Sequence, residues 1–179
     1  MIGYIAAFLA ALVTAGIVSI PTDKELKYAF EKANTHDELA KIYEDSLKRK
    51  YDKNVEKDYI KLLLHAKRVD APQKTRDYLK KYKDTEVMER FSDYYIQTKE
   101  PTKAEYWLIK AYEATRDGRF LDKRVSLSYM FDGFSIDTKR LSADLKGSPQ
   151  LFKNKNLTDK ILGYLSYKKD FDGYTAAAN

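Results

Sequence analysis

His36 and His65 are the only imidazoles in this 179-residue chain, and it contains no cysteine. Imidazole and thiolate carry most acid–base, nucleophilic and zinc chemistry near neutral pH, so the supply of reactive groups is small. His36 falls in a first helical turn behind Thr35, and His65 follows the apolar run Leu62-Leu63-Leu64. Neither has a second histidine or a cysteine at ligand spacing, which predicts a surface or helix-packing role for both. Asp132-Gly133 and Asp170-Phe171-Asp172-Gly173 resemble fragments of a calcium loop, but no twelve-residue loop with a closing glutamate follows either. Both are expected to be turns. Glycine-rich phosphate loops and the Gly-x-Ser-x-Gly elbow are missing from the sequence. The expectation is therefore a protein that is not an enzyme, with no catalytic, cofactor-binding or metal-binding residues.

Contact chemistry is richer. The chain holds 15 tyrosines, 8 phenylalanines and a single tryptophan, an aromatic load that argues against disorder. Trp107 with Tyr94, Tyr95, Tyr106 and Tyr112 forms the densest cluster, beside Lys103, Lys110 and Arg116. Such a mixture can line a peptide groove or stack nucleic-acid bases. At helical spacing the first use of an aromatic is core, which suits Trp107 and Tyr95. A second feature is charge. Residues 136–169 hold eight lysines and arginines against three aspartates, a net of +5 within a chain of net +6. A basic end of this kind meets anionic lipid, nucleic acid or an acidic partner, or simply solvates a surface.

The elements that position these residues read as helices throughout. With only 7 glycines and 4 prolines, long stretches run without a breaker. Thr22-Asp23-Lys24-Glu25, Thr35-His36-Asp37-Glu38 and Thr102-Lys103-Ala104-Glu105 fit the capping box, and Asp70-Ala71-Pro72-Gln73 offers an aspartate version. Apolar residues recur at helical spacing, as in Leu39, Ile42, Tyr43 and Leu47 or Tyr59, Leu62, Leu63 and Ala66. Helices are predicted near 23–33, 36–49, 54–68, 71–82, 86–98, 101–116, 120–131, 137–146 and 156–166, with no strand. Helices this short are marginal alone and must bury their stripes against neighbours.

Short helices in antiparallel pairs raise the question of a repeat. Met88, Phe91, Ser92 and Tyr95 give a large, apolar, small, aromatic series on one helix, and Ala104, Leu108 and Ala111 give small, large, small on the next. Small residues let two helices approach, and large ones fill the gap to the following pair. At a step of 34 residues, Phe91-Ser92-x-x-Tyr95 returns as Val125-Ser126-x-x-Tyr129. The chain resembles the tetratricopeptide-repeat family, most closely over 88–111, with a divergent unit upstream at 59–82 and a non-repeat helical bundle as the alternative. The resemblance implies an all-α fold of antiparallel helix pairs stacked as a short solenoid, and a partner protein or peptide held in a groove. It makes Tyr94, Lys103, Tyr106, Trp107, Lys110 and Arg116 the candidate partner-binding residues. Tyr94, Tyr106 and Tyr112 fall outside the packing positions and are expected on an exposed contact surface.

Ahead of this body, Met1–Ile20 carries no charged side chain, and Pro21 ends the run. A helix of twenty residues rises about 30 Å, the thickness of a bilayer's hydrocarbon core. A single transmembrane helix is expected over residues 1–21, with a cleaved signal segment ending near Val13-Thr14-Ala15 as its rival and a buried soluble helix third. Lys24, Lys27 and Lys32 tilt the body toward the cytoplasm by the positive-inside rule, with a periplasmic or secreted body as the alternative. The organisation is then an anchor at 1–21, tetratricopeptide-like repeats at 22–146 and a basic C-terminal helix and tail at 147–179. The function expected is a membrane-anchored adaptor that binds another protein and helps assemble a membrane-associated complex. The alternative is a tethered helical domain that binds nucleic acid or anionic lipid through 136–169.

Overall fold

A computed structural model describes residues 23–168. Among the described residues every regular element is helical: α1 (Asp23–Lys32), α2 (His36–Arg49), α3 (Lys53–His65), α4 (Ala71–Lys81), α5 (Thr85–Gln97), α6 (Pro101–Thr115), α7 (Gly118–Met130), α8 (Thr138–Lys146), a 3-10 turn (Pro149–Lys153) and α9 (Lys155–Tyr167). The all-α expectation is met, and nine predicted helices correspond to nine α-helices within that range. No helix among the described residues is long and apolar enough to cross a membrane. The expected span at Met1–Ile20 lies outside the described residues, as does the capping position Thr22.

The described residues divide into two compact units, one ending at Arg68 and one beginning at Val69. In the first, α1 packs on α2 and α2 on α3. Its ring contacts run from Phe30 to Tyr43 at 5.0 Å and from Tyr43 to Tyr59 at 6.0 Å. The Tyr59 hydroxyl donates to Glu44. Burial and the nearby Asp58 carboxylate raise the Tyr43 phenol above its ordinary pKa.

In the second unit α5 packs on α6 and α6 on α7, neighbours in sequence, while α7 packs on α9, beyond α8 and the 3-10 turn. Ala104, Leu108 and Ala111 of α6 and Phe91 and Ser92 of α5 are all fully buried, the small-and-large alternation that close helix approach requires. The Ser92 hydroxyl has no hydrogen-bond partner there, so its value at this position is its size.

Helix starts are fixed by caps. The Thr35–Glu38 capping box forms as expected: the Glu38 amide donates to the Thr35 hydroxyl at 3.2 Å. In return the Glu38 carboxylate accepts from the backbone N–H of Asn34 and of Thr35, which hold its pKa below the usual value. Two other expected caps are corrected. Asp70 makes no cap hydrogen bond and pairs with Lys74 instead. Thr102 lies inside α6, which begins at Pro101 behind Glu100, and Glu105 is turned toward Arg124. Asp52, Asp84, Asp117, Asp137 and Asn154 cap α3, α5, α7, α8 and α9 through their side chains.

Helix ends are less conventional. Lys67, Lys99 and Arg116 sit at positive φ, 52°, 60° and 57°. At Lys67 and at Lys99 paired backbone bonds close the preceding helix, Lys67 to Leu64 with Arg68 to Leu63, and Lys99 to Ile96 with Glu100 to Tyr95. That is the Schellman arrangement, built around lysine where glycine is usual. Gly133 (φ 76°) makes the turn expected at Asp132-Gly133.

Candidate partner-binding face

The α5–α6 hairpin carries the aromatic cluster. Phe91 is its centre, with ring centroids 4.7 Å from Tyr95, 5.0 Å from Trp107 and 6.2 Å from Tyr94. Tyr94 meets Tyr95 edge-on at 5.3 Å, and Tyr106 meets Trp107 edge-on at 5.1 Å. Edge-to-face and tilted pairs at these separations are favourable. Phe91 and Tyr95 are buried, Tyr94 and Trp107 are half-buried, and Tyr106 is 52% exposed. The cluster therefore grades from core to surface over one connected set of rings. Burial raises the Tyr95 phenol above its ordinary pKa.

Two of the predicted lysines frame these rings. Lys103 lies 5.4 Å from the Tyr95 ring centre and Lys110 lies 5.8 Å from that of Tyr106. Each also has a carboxylate of its own. Lys103 bonds Glu100, which raises the lysine's pKa and lowers the glutamate's. Lys110 bonds Glu113 at 2.9 Å with the same pair of consequences. Tyr94, Lys103, Tyr106, Trp107 and Lys110 are thus brought together. Arg116 is not. It closes α6 about 15 Å along the axis from Tyr106, its guanidinium 5.4 Å from the Tyr112 ring centre.

Tyr112 overturns an expectation. It is fully buried, not exposed: its hydroxyl donates to the Asp144 carbonyl at 2.8 Å and shares a second bond with Ser148 at 2.7 Å. A tyrosine off the small-and-large positions became core because α8 and the following turn offer its hydroxyl two partners.

Beside it lies a buried ionic network absent from the sequence reading. Arg124 of α7 is 0% exposed, reaching Asp144 at 2.7 Å and Glu105 at 3.1 Å. Asp144 also accepts from Arg140 at 3.3 Å, and Arg140 bonds Glu113. Arg140 is raised in pKa, chiefly by Glu113. Three helices, α6, α7 and α8, are joined by these contacts.

A polar strip runs along α5, α7 and α9. Lys123 of α7 sits between Glu89 at 2.7 Å and Asp93 at 3.1 Å on α5. Lys160 of α9 sits between Asp122 at 2.6 Å and Ser126 at 2.8 Å on α7. In both cases a lysine enters between two acceptors one helical turn apart on the preceding helix. Thirty-four residues after the buried Phe91, Ser92 and Tyr95, Val125 is buried, Ser126 is half-buried and Tyr129 is 61% exposed.

Two open cavities adjoin this region. One, of about 590 Å³, is walled by Asp117, Arg119, Asn154, Asn156, Leu157 and Lys160. The other, of about 500 Å³, is lined by Tyr129, Phe134, Tyr164, Tyr167 and Lys168 among others. Among the described residues no group of three or more histidine or carboxylate side chains could hold a metal ion.

The Glu113 carboxyl is held below its ordinary value of 4.5, first by the Lys110 hydrogen bond, with burial opposing and Arg140 adding. A depressed folded-state pKa stabilises the fold above the unfolded value and loses that contribution as pH falls through the folded one. Acid titration of stability should therefore decline below about pH 4.5, and Glu113→Gln should flatten part of that decline in pH-dependent urea unfolding.

No protein-family model, curated protein or solved structure matches this chain.

Proposed function

We propose that this chain is a membrane-anchored, tetratricopeptide-like adaptor that holds another protein or peptide near the bilayer. The observation that carries the reading is the graded aromatic face on α5–α6. Phe91 and Tyr95 fix rings that Trp107, Tyr94 and Tyr106 continue to the surface. Rigid aromatic anchors rooted in a core, flanked by cations, are the chemistry of interface hot spots. The repeated lysine insertion, Lys123 into α5 and Lys160 into α7, supports stacking of like helix pairs. The uncharged prefix at Met1–Ile20 supports the anchor.

The test is capture of the partner from solubilised membranes by the full chain. Tyr106→Ala removes a half-exposed ring with no expected loss of fold, and should reduce capture by about 30-fold, the effect of one hot-spot residue. Retained capture would sink the reading. The nucleic-acid or anionic-lipid alternative is separated in the same experiment. Lys139, Lys146, Lys153 and Lys155 are exposed, whereas Lys160 and Arg140 are tied to internal carboxylates. Converting those four lysines to glutamine should leave protein capture intact; loss of binding together with a steep salt dependence would favour the alternative.

A further inference from the structure

The two histidines that the sequence separates by nearly thirty residues meet in the fold. His36 in the first turn of α2 and His65 in the last turn of α3 have ring centroids 5.5 Å apart, with planes at 83°. Both imidazoles are exposed. Linear spacing shows no such pair: it is made by the antiparallel turn between α2 and α3.

We infer that His36 and His65 form a two-donor site for a late divalent transition ion, Zn2+, Ni2+ or Cu2+. Metal–nitrogen bonds of about 2.0–2.1 Å in tetrahedral geometry place the centres of two imidazole ligands about 5 Å apart. The observed 5.5 Å reaches that with small ring rotations, and side chains at the surface are free to make them. Imidazole is a ligand suited to these three ions and not to calcium or magnesium.

The frame around the rings is already set. The Thr35–Glu38 capping box fixes the turn bearing His36. The Schellman bonds at Lys67 and Arg68 fix the turn bearing His65. Arg68 then bonds Asp37, the residue next to His36, and ties the two turns together beside the rings. Asp37 also offsets the charge of Arg68 beside the rings. Because no third histidine or carboxylate among the described residues converges there, water or an outside donor completes the coordination. The site is accordingly open, the arrangement that leaves an ion able to accept a further ligand.

Holding two donors on one rigid hairpin raises affinity over a single imidazole by about 100-fold, the effective-concentration advantage of a linked second contact. The experiment is calorimetric titration of the untagged full chain with ZnCl2, repeated with His36→Asn and His65→Asn. One zinc per chain is expected, with each variant weakening binding by about 100-fold while the helical circular dichroism is unchanged. Zinc should also raise the thermal midpoint of the parent chain and of neither variant. Absence of zinc binding, or equal binding by the parent and both variants, overturns the proposal. If a variant lost helicity, His36→Gln and His65→Gln would replace it in the same titration, with the same outcomes required.

Discussion

Asp144→Ala should lower the free energy of unfolding by about 3 kcal/mol, read as a fall in the urea midpoint at unchanged slope. The reason is the ion it abandons. Arg124 is 0% exposed and its shortest contact is Asp144, at 2.7 Å. Breaking a buried pair costs about 3–5 kcal/mol because the remaining charge stays desolvated. Glu105 still touches Arg124 at 3.1 Å, which places the loss at the low end. The decisive comparison is the joint exchange Arg124→Met, Asp144→Leu and Glu105→Gln, which leaves no partner of Arg124 charged and unpaired. Replacing a buried ionic group by uncharged residues of similar volume is often neutral or better, so the triple variant should recover most of the deficit. A loss under about 1 kcal/mol for Asp144→Ala would mean that Arg124 reaches water when its partner leaves.

Phe91→Ala should cost about 3–5 kcal/mol, the range for deleting a buried aromatic ring. Phe91 is fully buried and touches Tyr94, Tyr95 and Trp107, so the cavity opens at the root of the aromatic face. Trp107 is the only tryptophan, which makes its fluorescence a local reporter of this change. A red shift of emission and loss of near-ultraviolet circular dichroism should accompany the fall in stability, before any global unfolding. An unchanged emission spectrum with a cost below about 1 kcal/mol would show that the rings hold their places without Phe91. Tyr106→Ala, by contrast, removes a ring already half in water, and surface changes of that kind usually stay within about 0.5 kcal/mol. The face would then lose contact chemistry while keeping its fold.

Helix content was legible from periodicity because apolar stripes at 3.6-residue spacing leave few other folds open to the sequence. The small-and-large alternation of Phe91, Ser92, Ala104, Leu108 and Ala111 was legible for the same reason, and all five are buried as that pattern requires. Most of the candidate face was legible too, since Tyr94, Lys103, Tyr106, Trp107 and Lys110 lie near one another in the chain and on adjoining helices. What escaped is whatever depends on distant partners. Tyr112 finds Asp144 and Ser148 more than thirty residues away, and Arg124 finds Glu105 and Asp144 across two other helices. His36 and His65 meet only because a helix turns back. Linear spacing has no access to such pairs. The missed caps have a different cause: Asp52, Asp84, Asp137 and Asn154 lack the glutamate three residues on that completes a box, yet each caps through its own side chain, Asp52 with two bonds and the others with one.

The helix ends at Lys67, Lys99 and Arg116 bear on how much stability the molecule could still gain. A side chain held in the left-handed region costs about 1–3 kcal/mol, whereas a cation near a helix C-terminus returns only about 0.3–1 kcal/mol. The chain has 7 glycines and places none of them at these three ends. Its native state therefore carries conformational strain at three surface positions, and its thermal tolerance sits below the ceiling that the same packed core would support.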